Sequence, residues 1–100
     1  MQIINEIFLE ELINNPNLKK PKQPLLAWKN EVKKESWNNP NELKAKYGNA
    51  SVLKNNRVVF NICGNSYRLI VDINYQNKIV YIKWFGTHKE YDEIGNADAL

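Results

Sequence analysis

The stretch RVVFNICGNSYRLIVDI, residues 57–73, decides the fold, because it has the pattern of two strands joined by a tight turn. Apolar and polar residues alternate on both sides of Gly64-Asn65, a dipeptide typical of two-residue hairpin turns. A third alternating run, IVYIKWF at residues 79–85, follows a short loop. The pattern therefore predicts an antiparallel three-stranded meander over residues 57–86.

Counting outward from the turns assigns each side chain to one face of the sheet. One face is almost wholly apolar and has to be covered: it carries Val58, Phe60, Ile62, Tyr67, Leu69, Val71, Ile73, Val80, Ile82 and Trp84. The opposite face, which we call the open face, mixes charges with aromatic rings and carries Arg57, Asn61, Arg68, Asp72, Tyr81, Lys83 and Phe85. Arg57 lies opposite Asp72, which predicts an ordinary surface ion pair. Arg68 pairs with Asn61 and Phe85 and has no acid opposite, so its guanidinium suits a phosphate.

The first half of the chain has the pattern of helices. Apolar residues at helical spacing predict one helix over residues 7–13 and a second from about residue 25 to residue 37. Three prolines within residues 14–24 predict a connector between them. A capping pattern at residues 39–42 predicts a third helix start. We therefore expect an α+β fold, in which helices from residues 1–50 pack on one face of a C-terminal antiparallel sheet.

Composition narrows the class of protein. One hundred residues suffice for one core, which predicts a single domain over residues 1–100. The chain lacks a long apolar run and an evident secretion signal, which predicts a cytoplasmic protein. The single cysteine, Cys63, excludes an internal disulfide and a multi-cysteine zinc site. A net charge of +3 is compatible with a nucleic-acid partner, and the apolar-poor residues 95–100 are expected to be flexible.

The third strand precedes the motif THKEYD, which contains the only histidine of the chain, His88. Thr87 and Glu90 have the spacing of a capping box, so a structural role explains both. His88 and Tyr91 then lie on one side of the new helical turn. Because Arg68 and Lys83, on neighbouring strands, can converge on the same end of the sheet, we expect His88 to lie close to Arg68.

Two motifs together carry a specific resemblance: FNxxGNxYR at residues 60–68 and THxEYD at residues 87–92. Over residues 57–94 the chain resembles the HigB-type toxins of bacterial toxin–antitoxin pairs, within the wider RelE-like group of ribosome-dependent mRNA endonucleases. The resemblance implies a domain whose open sheet face receives messenger RNA in the ribosomal decoding site. It also implies a helix-turn-helix antitoxin of the HigA type as partner, with oligomers formed only through that complex.

Position by position, the resemblance implies that Arg68 stabilises the phosphate, that His88 is the general acid, and that Tyr91 belongs to the same catalytic segment, residues 87–94. The implied reaction is attack by the RNA's own 2′-hydroxyl on the adjacent phosphorus, which requires no metal or other cofactor. Many RelE-like proteins carry lysines where this chain has Val59 and Asn61, so the general base is not identified. The side chains expected to support RNA binding are Asn61, Lys83, Phe85 and Lys89.

Three other functions stay open from the sequence. A non-catalytic RNA- or ribosome-binding module would use the same sheet face. A metal-dependent nuclease would use Glu90, Asp92 and Glu93, although the capping box already explains Glu90. A structural or protein-interaction domain would not need the polar residues of the open face.

Overall fold

The computed structural model describes residues 1–95 and residue 97, so the predicted flexible tail falls mainly outside the described residues. In chain order the described elements are β1 Gln2–Ile4, α1 Glu6–Asn14, α2 Lys19–Lys34, α3 Pro40–Lys46, β2 Ser51–Val52, β3 Arg57–Ile62, β4 Tyr67–Asn74, β5 Ile79–Thr87 and α4 His88–Ile94. A 3₁₀ turn, Lys54–Asn56, precedes β3. None of the described helices is long and apolar enough to cross a membrane.

The strands form one sheet in the order β1-β5-β4-β3-β2, with the predicted meander β3-β4-β5 at its centre. The α+β class is confirmed. The sheet is larger than the predicted three strands, because β2 adds antiparallel to β3 and β1 adds parallel to β5. Both added strands are only two or three residues long, which is too short for a recognisable alternation.

The predicted register of the first hairpin is confirmed at every pair, from Ile62 opposite Tyr67 to Arg57 opposite Asp72. The turn between these strands has left-handed backbone at Cys63 (φ 57°) and Gly64 (φ 64°). Glycine adopts that conformation without a steric penalty, which is why the dipeptide was informative.

The predicted register between β4 and β5 is confirmed only from the loop as far as Ile82. Lys83 is the unpaired residue of a β-bulge, so beyond it every pair is shifted by one residue, and Trp84 lies opposite Ile70. A shift of one residue exchanges the two faces of a strand. Trp84 therefore lies on the open face and Phe85 on the covered face. Both predictions were wrong, because counting from the loop assumes an uninterrupted alternation.

The helices cover the apolar face, as predicted. The core combines side chains from the helices and the three central strands, with Trp28 of α2 packed edge-on against Phe60 of β3 at 5.4 Å between ring centroids. Leu9, Leu25 and Val32 of the helices are completely buried. The helical layer therefore covers one face of the sheet and leaves the opposite face for function.

The predicted connector over residues 14–24 is wrong in its second part, because α2 begins at Lys19. Pro21 lies in the first turn of α2, where a backbone amide has no helical partner to lose. Pro24 lies deeper and removes the amide that would bond to the carbonyl of Lys20. The thiol of Cys63 donates to that carbonyl oxygen at 3.8 Å, which gives the only cysteine of the sequence a structural role.

Candidate functional site

Helix α4 begins directly at the end of β5, and a capping box fixes the direction in which it leaves the strand. The backbone amide of Glu90 donates to Thr87 Oγ1 at 3.1 Å, and the amide of Thr87 donates to Glu90 Oε1 at 2.8 Å, as predicted. The amide of His88 donates to the carbonyl of Ser66 at 3.0 Å. His88, the first residue of α4, is therefore held against the β3–β4 turn.

The structure brings Arg68 and His88 together: Nη2 of Arg68 lies 3.1 Å from Nδ1 of His88. The other terminal nitrogen of the guanidinium donates to the carbonyls of Asn65 and Tyr67, both at 3.1 Å. These bonds to the turn and strand aim the guanidinium at the imidazole. Since a guanidinium can only donate, Nδ1 of His88 is the acceptor in this contact.

The second ring nitrogen of His88 meets Asp92, one helical turn later. Nε2 lies 3.0 Å from Oδ2 of Asp92, at the i, i+4 spacing, and both side chains are at least half exposed. With Nδ1 accepting from Arg68, the ring proton lies on Nε2 and is donated to the carboxylate. Sequence reasoning had considered Asp92 only as a metal ligand. Its four-residue spacing from His88 is the signal that could have identified this contact.

One aromatic ring borders the guanidinium, and a second lies beside the first. The guanidinium carbon of Arg68 lies 5.9 Å from the ring centroid of Tyr91, within the range of a cation–π contact. The Tyr91 ring in turn lies 6.4 Å from that of Trp84, which the bulge has placed on this face. A β-carbon on Gly86 would lie 2.5 Å from Cη2 of Trp84, so only glycine allows the indole to cross the strand here. Trp84 is a candidate site residue that sequence reasoning missed.

The other predicted RNA-binding residues surround this centre unevenly. Asn61 is half-buried on the open face, and its amide donates to the carbonyl of Asn49 at 3.4 Å. Lys83 is exposed at the bulge and lies 3.8 Å from Asp72. Lys89 is exposed on α4, next to His88.

Phe85 does not belong to this group. Its ring stacks on Tyr67 at 5.3 Å between centroids, and it packs against the core on the covered face. The placement on which its predicted contact with RNA depended is therefore wrong, and the physical reason is the bulge at Lys83.

The expected surface ion pair between Arg57 and Asp72 is instead partly buried, because the Asp72 side chain is 30% exposed whereas Arg57 is buried. Arg57 is only 7% exposed, and it binds the Asp72 carboxylate through two bonds of 2.7 and 3.1 Å. Its Nη1 also donates to the carbonyl of Ala97 at 2.9 Å, because the chain returns over this face after α4. Val59 and Ile70, between the two arginines, are buried as well, so the face is open only in part.

The three acids of the metal-dependent alternative do not form a site. Glu90 is held in the capping box and Asp92 on His88. No group of three His, Cys, Asp or Glu side chains within the described part of the chain is arranged to hold a metal ion.

The chain is similar in sequence to known proteins. A family described as "HigB_toxin, RelE-like toxic component of a toxin-antitoxin system" matches residues 21–94. The "mRNA interferase toxin HigB" of Escherichia coli strain K12 is 33% identical over 73 residues, which cover 71% of this chain and 70% of the relative. The "mRNA interferase HigB" of Escherichia coli O6:H1 is 31% identical over 65 residues, and the match spans 63% of each protein. The chain therefore belongs to the HigB toxin family, the RelE-like toxic components of toxin–antitoxin systems.

Proposed function

We propose that this chain is the toxin of a type II toxin–antitoxin pair, and that it is a ribosome-dependent, metal-independent endoribonuclease that cleaves translated mRNA. The observation that carries the proposal is the 3.1 Å contact between the Arg68 guanidinium and the His88 imidazole at the end of the sheet. The names of the relatives, which describe them as mRNA interferases, support the same class of reaction.

The contact between Arg68 and His88 belongs to the site in the absence of RNA. A phosphate is a stronger acceptor for a guanidinium than a neutral ring nitrogen, because the bond is assisted by charge on both sides. A phosphate that enters between the two side chains takes over the bond from Nη2 of Arg68. Nδ1 of His88 then faces the phosphate and is able to carry a proton toward it.

The reaction balances without a metal ion. The 2′-oxygen attacks the adjacent phosphorus, the bond to the 5′-oxygen breaks, and the products are a 2′,3′-cyclic phosphate and a 5′-hydroxyl. The proton of the 2′-hydroxyl leaves to water. Once Arg68 has turned to the phosphate, Nδ1 of His88 takes up a proton from water and gives it to the leaving 5′-oxygen, a step that contributes roughly a hundred- to ten-thousand-fold in rate. Arg68 stabilises the charge on the pentacoordinate phosphorus. Asp92 bonds to Nε2 and keeps the imidazole in the required orientation.

The remaining residues are assigned to binding. Tyr91 and Trp84 offer ring faces on which a base can stack, and Lys83, Lys89 and Asn61 contact the RNA backbone. No side chain is assigned as the general base that removes the 2′-hydroxyl proton. This fits a reaction in which the ribosome holds the RNA in its reactive geometry, since positioning alone can supply much of the acceleration. We further propose a HigA-type antitoxin as partner, and a cytoplasmic location where translated mRNA is found.

The test is a brief pulse of expression followed by mapping of RNA ends, with wild type, His88→Ala and Glu93→Ala compared. We expect wild type to cut within translated frames and His88→Ala to cut at least a hundredfold less. Glu93→Ala is the matched control, because Glu93 lies exposed on the same helix without an assigned role. Cleavage by His88→Ala at the wild-type rate would refute the proposal.

Two further experiments distinguish the proposed nuclease from a metal-dependent nuclease and from a non-catalytic binding module. Purified toxin with translating ribosomes should cleave in the presence of a chelator, whereas a metal-dependent nuclease would stop and would also lose activity in Glu93→Ala. A non-catalytic binding module would arrest translation without new RNA ends, and its His88→Ala variant would keep that effect.

A further inference from the structure

The open face carries a cavity at the end of β4 away from Arg68. This cavity, which we call the amide pocket, has a volume of about 440 Å³. It is lined by the last residues of β4 and the turn after it, by the 3₁₀ turn before β3, and by Tyr81 of β5. The volume is in the range of small-ligand sites.

The lining of the amide pocket is rich in carboxamides. Asn55, Asn56 and Gln76 contribute side chains that have no hydrogen-bond partner within the described residues. A carboxamide presents a donor and an acceptor side by side, which is the pattern that reads the edges of nucleobases. The exposed ring of Tyr81, 38% accessible, offers a face for stacking.

Charge and burial favour a neutral, planar ligand. Asp72 lines the amide pocket, but its carboxylate is bound by Arg57 and lies 3.8 Å from Lys83, so its charge is compensated. The lining also includes Tyr75, whose hydroxyl is buried and whose ring packs against the core, so this residue adds no charge to the pocket. These features fit a nucleobase better than a phosphate or a cation.

The position of the amide pocket relates it to the cleavage site. Arg68 and Asp72 lie on the same face of β4, four residues apart, which corresponds to about 13 Å at the rise of an extended strand. Lys83 and Tyr81 lie on the neighbouring strand β5, along the side of this path. Because Ile70, between Arg68 and Asp72, is buried, the exposed route runs along β5 past Lys83 and Tyr81. A single strand of RNA with a phosphate at Arg68 can follow this route to the pocket.

We propose that the amide pocket binds one nucleobase of the RNA whose scissile phosphate lies at Arg68, and that it sets the base preference at a fixed distance from the cut. This inference rests on the proposed function and adds a specificity site to it. Asn55 and Asn56 read the edge of the base, and Tyr81 stacks on its face.

The substitutions that test this proposal are chosen from the backbone conformation of the pocket residues. Asn55 and Asn56 have left-handed conformations, with φ of 58° and 63°. Asn55→Gly/Asn56→Gly therefore removes both carboxamides without adding strain. Asn5→Gly is the control for exchanging a left-handed asparagine for glycine: Asn5 has φ of 68°, does not line the amide pocket, and loses one bond, from its Nδ2 to the carbonyl of Ile82. Tyr81→Ala tests the stacking face separately.

The readout is the map of RNA ends produced from transcripts with randomised sequence, together with the amount of cleavage. We expect wild type and Asn5→Gly to share a base preference at one fixed offset from the cut. In the double glycine variant that preference should fall about tenfold, while cutting continues at sites of other sequence. Tyr81→Ala should weaken cleavage about tenfold whichever base is present.

The outcomes separate the two proposals. Cleavage by the double glycine variant with an unchanged base preference would overturn the base site while leaving the nuclease intact. The same would follow if wild type showed no preference at any fixed offset, or if the variant lost only its neutralisation by an antitoxin, which would assign the pocket to that protein. A wild-type chain that cuts no RNA would overturn the nuclease and the base site together.

Discussion

Arg57 and Arg68 lie on the same face of one sheet, on neighbouring strands, and the fold treats them in opposite ways. Arg57 is 7% exposed and is bound by both oxygens of Asp72 and by a backbone carbonyl. Arg68 is half-buried and bonds to two carbonyls and an imidazole, with no acidic side chain in ion-pair distance among the described residues. The charge of Arg57 is neutralised by its own protein, whereas that of Arg68 is oriented but not neutralised.

The difference identifies which arginine is available for chemistry. A guanidinium with a bidentate carboxylate partner is poorly suited to bind a phosphate, because the exchange would leave a partly buried carboxylate without its main partner. A guanidinium held by neutral acceptors gains a charge-assisted bond when a phosphate arrives. The same residue type thus serves stability at one end of the sheet and is suited to anion binding at the other.

The largest expected effect is on cleavage by Arg68→Ala. Loss of the guanidinium removes a charge aimed at the phosphate, and we expect a decrease of about 100- to 1,000-fold in the cleavage rate on translating ribosomes. The free energy of unfolding should change by less than about 1 kcal/mol, since the lost bonds go to partly exposed carbonyls. Denaturant unfolding and single-turnover cleavage measure the two quantities.

The variant Arg68→Lys separates the contribution of the positive charge from that of the guanidinium geometry. Lysine keeps the positive charge but not the planar fork, so it should recover only part of the cleavage rate. If Arg68→Ala cleaved RNA at the wild-type rate but lowered the free energy of unfolding as much as Arg57→Ala does, the two arginines would have the same role and the comparison would fail.

The second prediction concerns Arg57→Ala, for which the effects should be reversed. The substitution leaves Asp72 partly buried without its main partner, and we expect the free energy of unfolding to fall by about 2–3 kcal/mol. The double substitution Arg57→Met/Asp72→Asn removes both charges and should restore most of this loss, because no unpaired charge remains. Equal losses in the single and the double variant would show that packing, rather than the ion pair, stabilises this end of the sheet.

The sequence predicted those features of the two arginines that depend on local geometry. The pairing of Arg57 with Asp72 and of Arg68 with Asn61 came from the hairpin turn, whose spacing fixes every residue of β3 and β4. The burial of Arg57 did not follow, because it depends on the return of the chain at Ala97, a contact forty residues away. No local pattern encodes a contact of that kind.

The predictions for the aromatic residues near the site failed for a different reason. Trp84 and Phe85 were assigned to the wrong faces because one extra residue, Lys83, interrupts the alternation of β5. A bulge has no dependable sequence signature, and it moves every later residue of the strand to the opposite face. The glycine two residues after the tryptophan is the only local hint, since its missing β-carbon is what lets the indole lie across the strand. His88 was placed correctly because the capping box after the strand depends on local spacing alone.

The smallest effect is expected from the cap that delivers His88 to Arg68. Thr87→Ala removes the acceptor for the Glu90 amide and should destabilise α4 by about 1 kcal/mol. If α4 undocks more readily, the contact between His88 and Arg68 is populated less often, and cleavage should fall by up to about fivefold. Thr87→Ser keeps the hydroxyl and should behave like wild type. Asn39→Ala removes the corresponding cap of α3, which is remote from the site, and should cost similar stability without loss of cleavage. Equal losses of cleavage in the two cap variants would mean that global stability, rather than the placement of His88, limits the reaction.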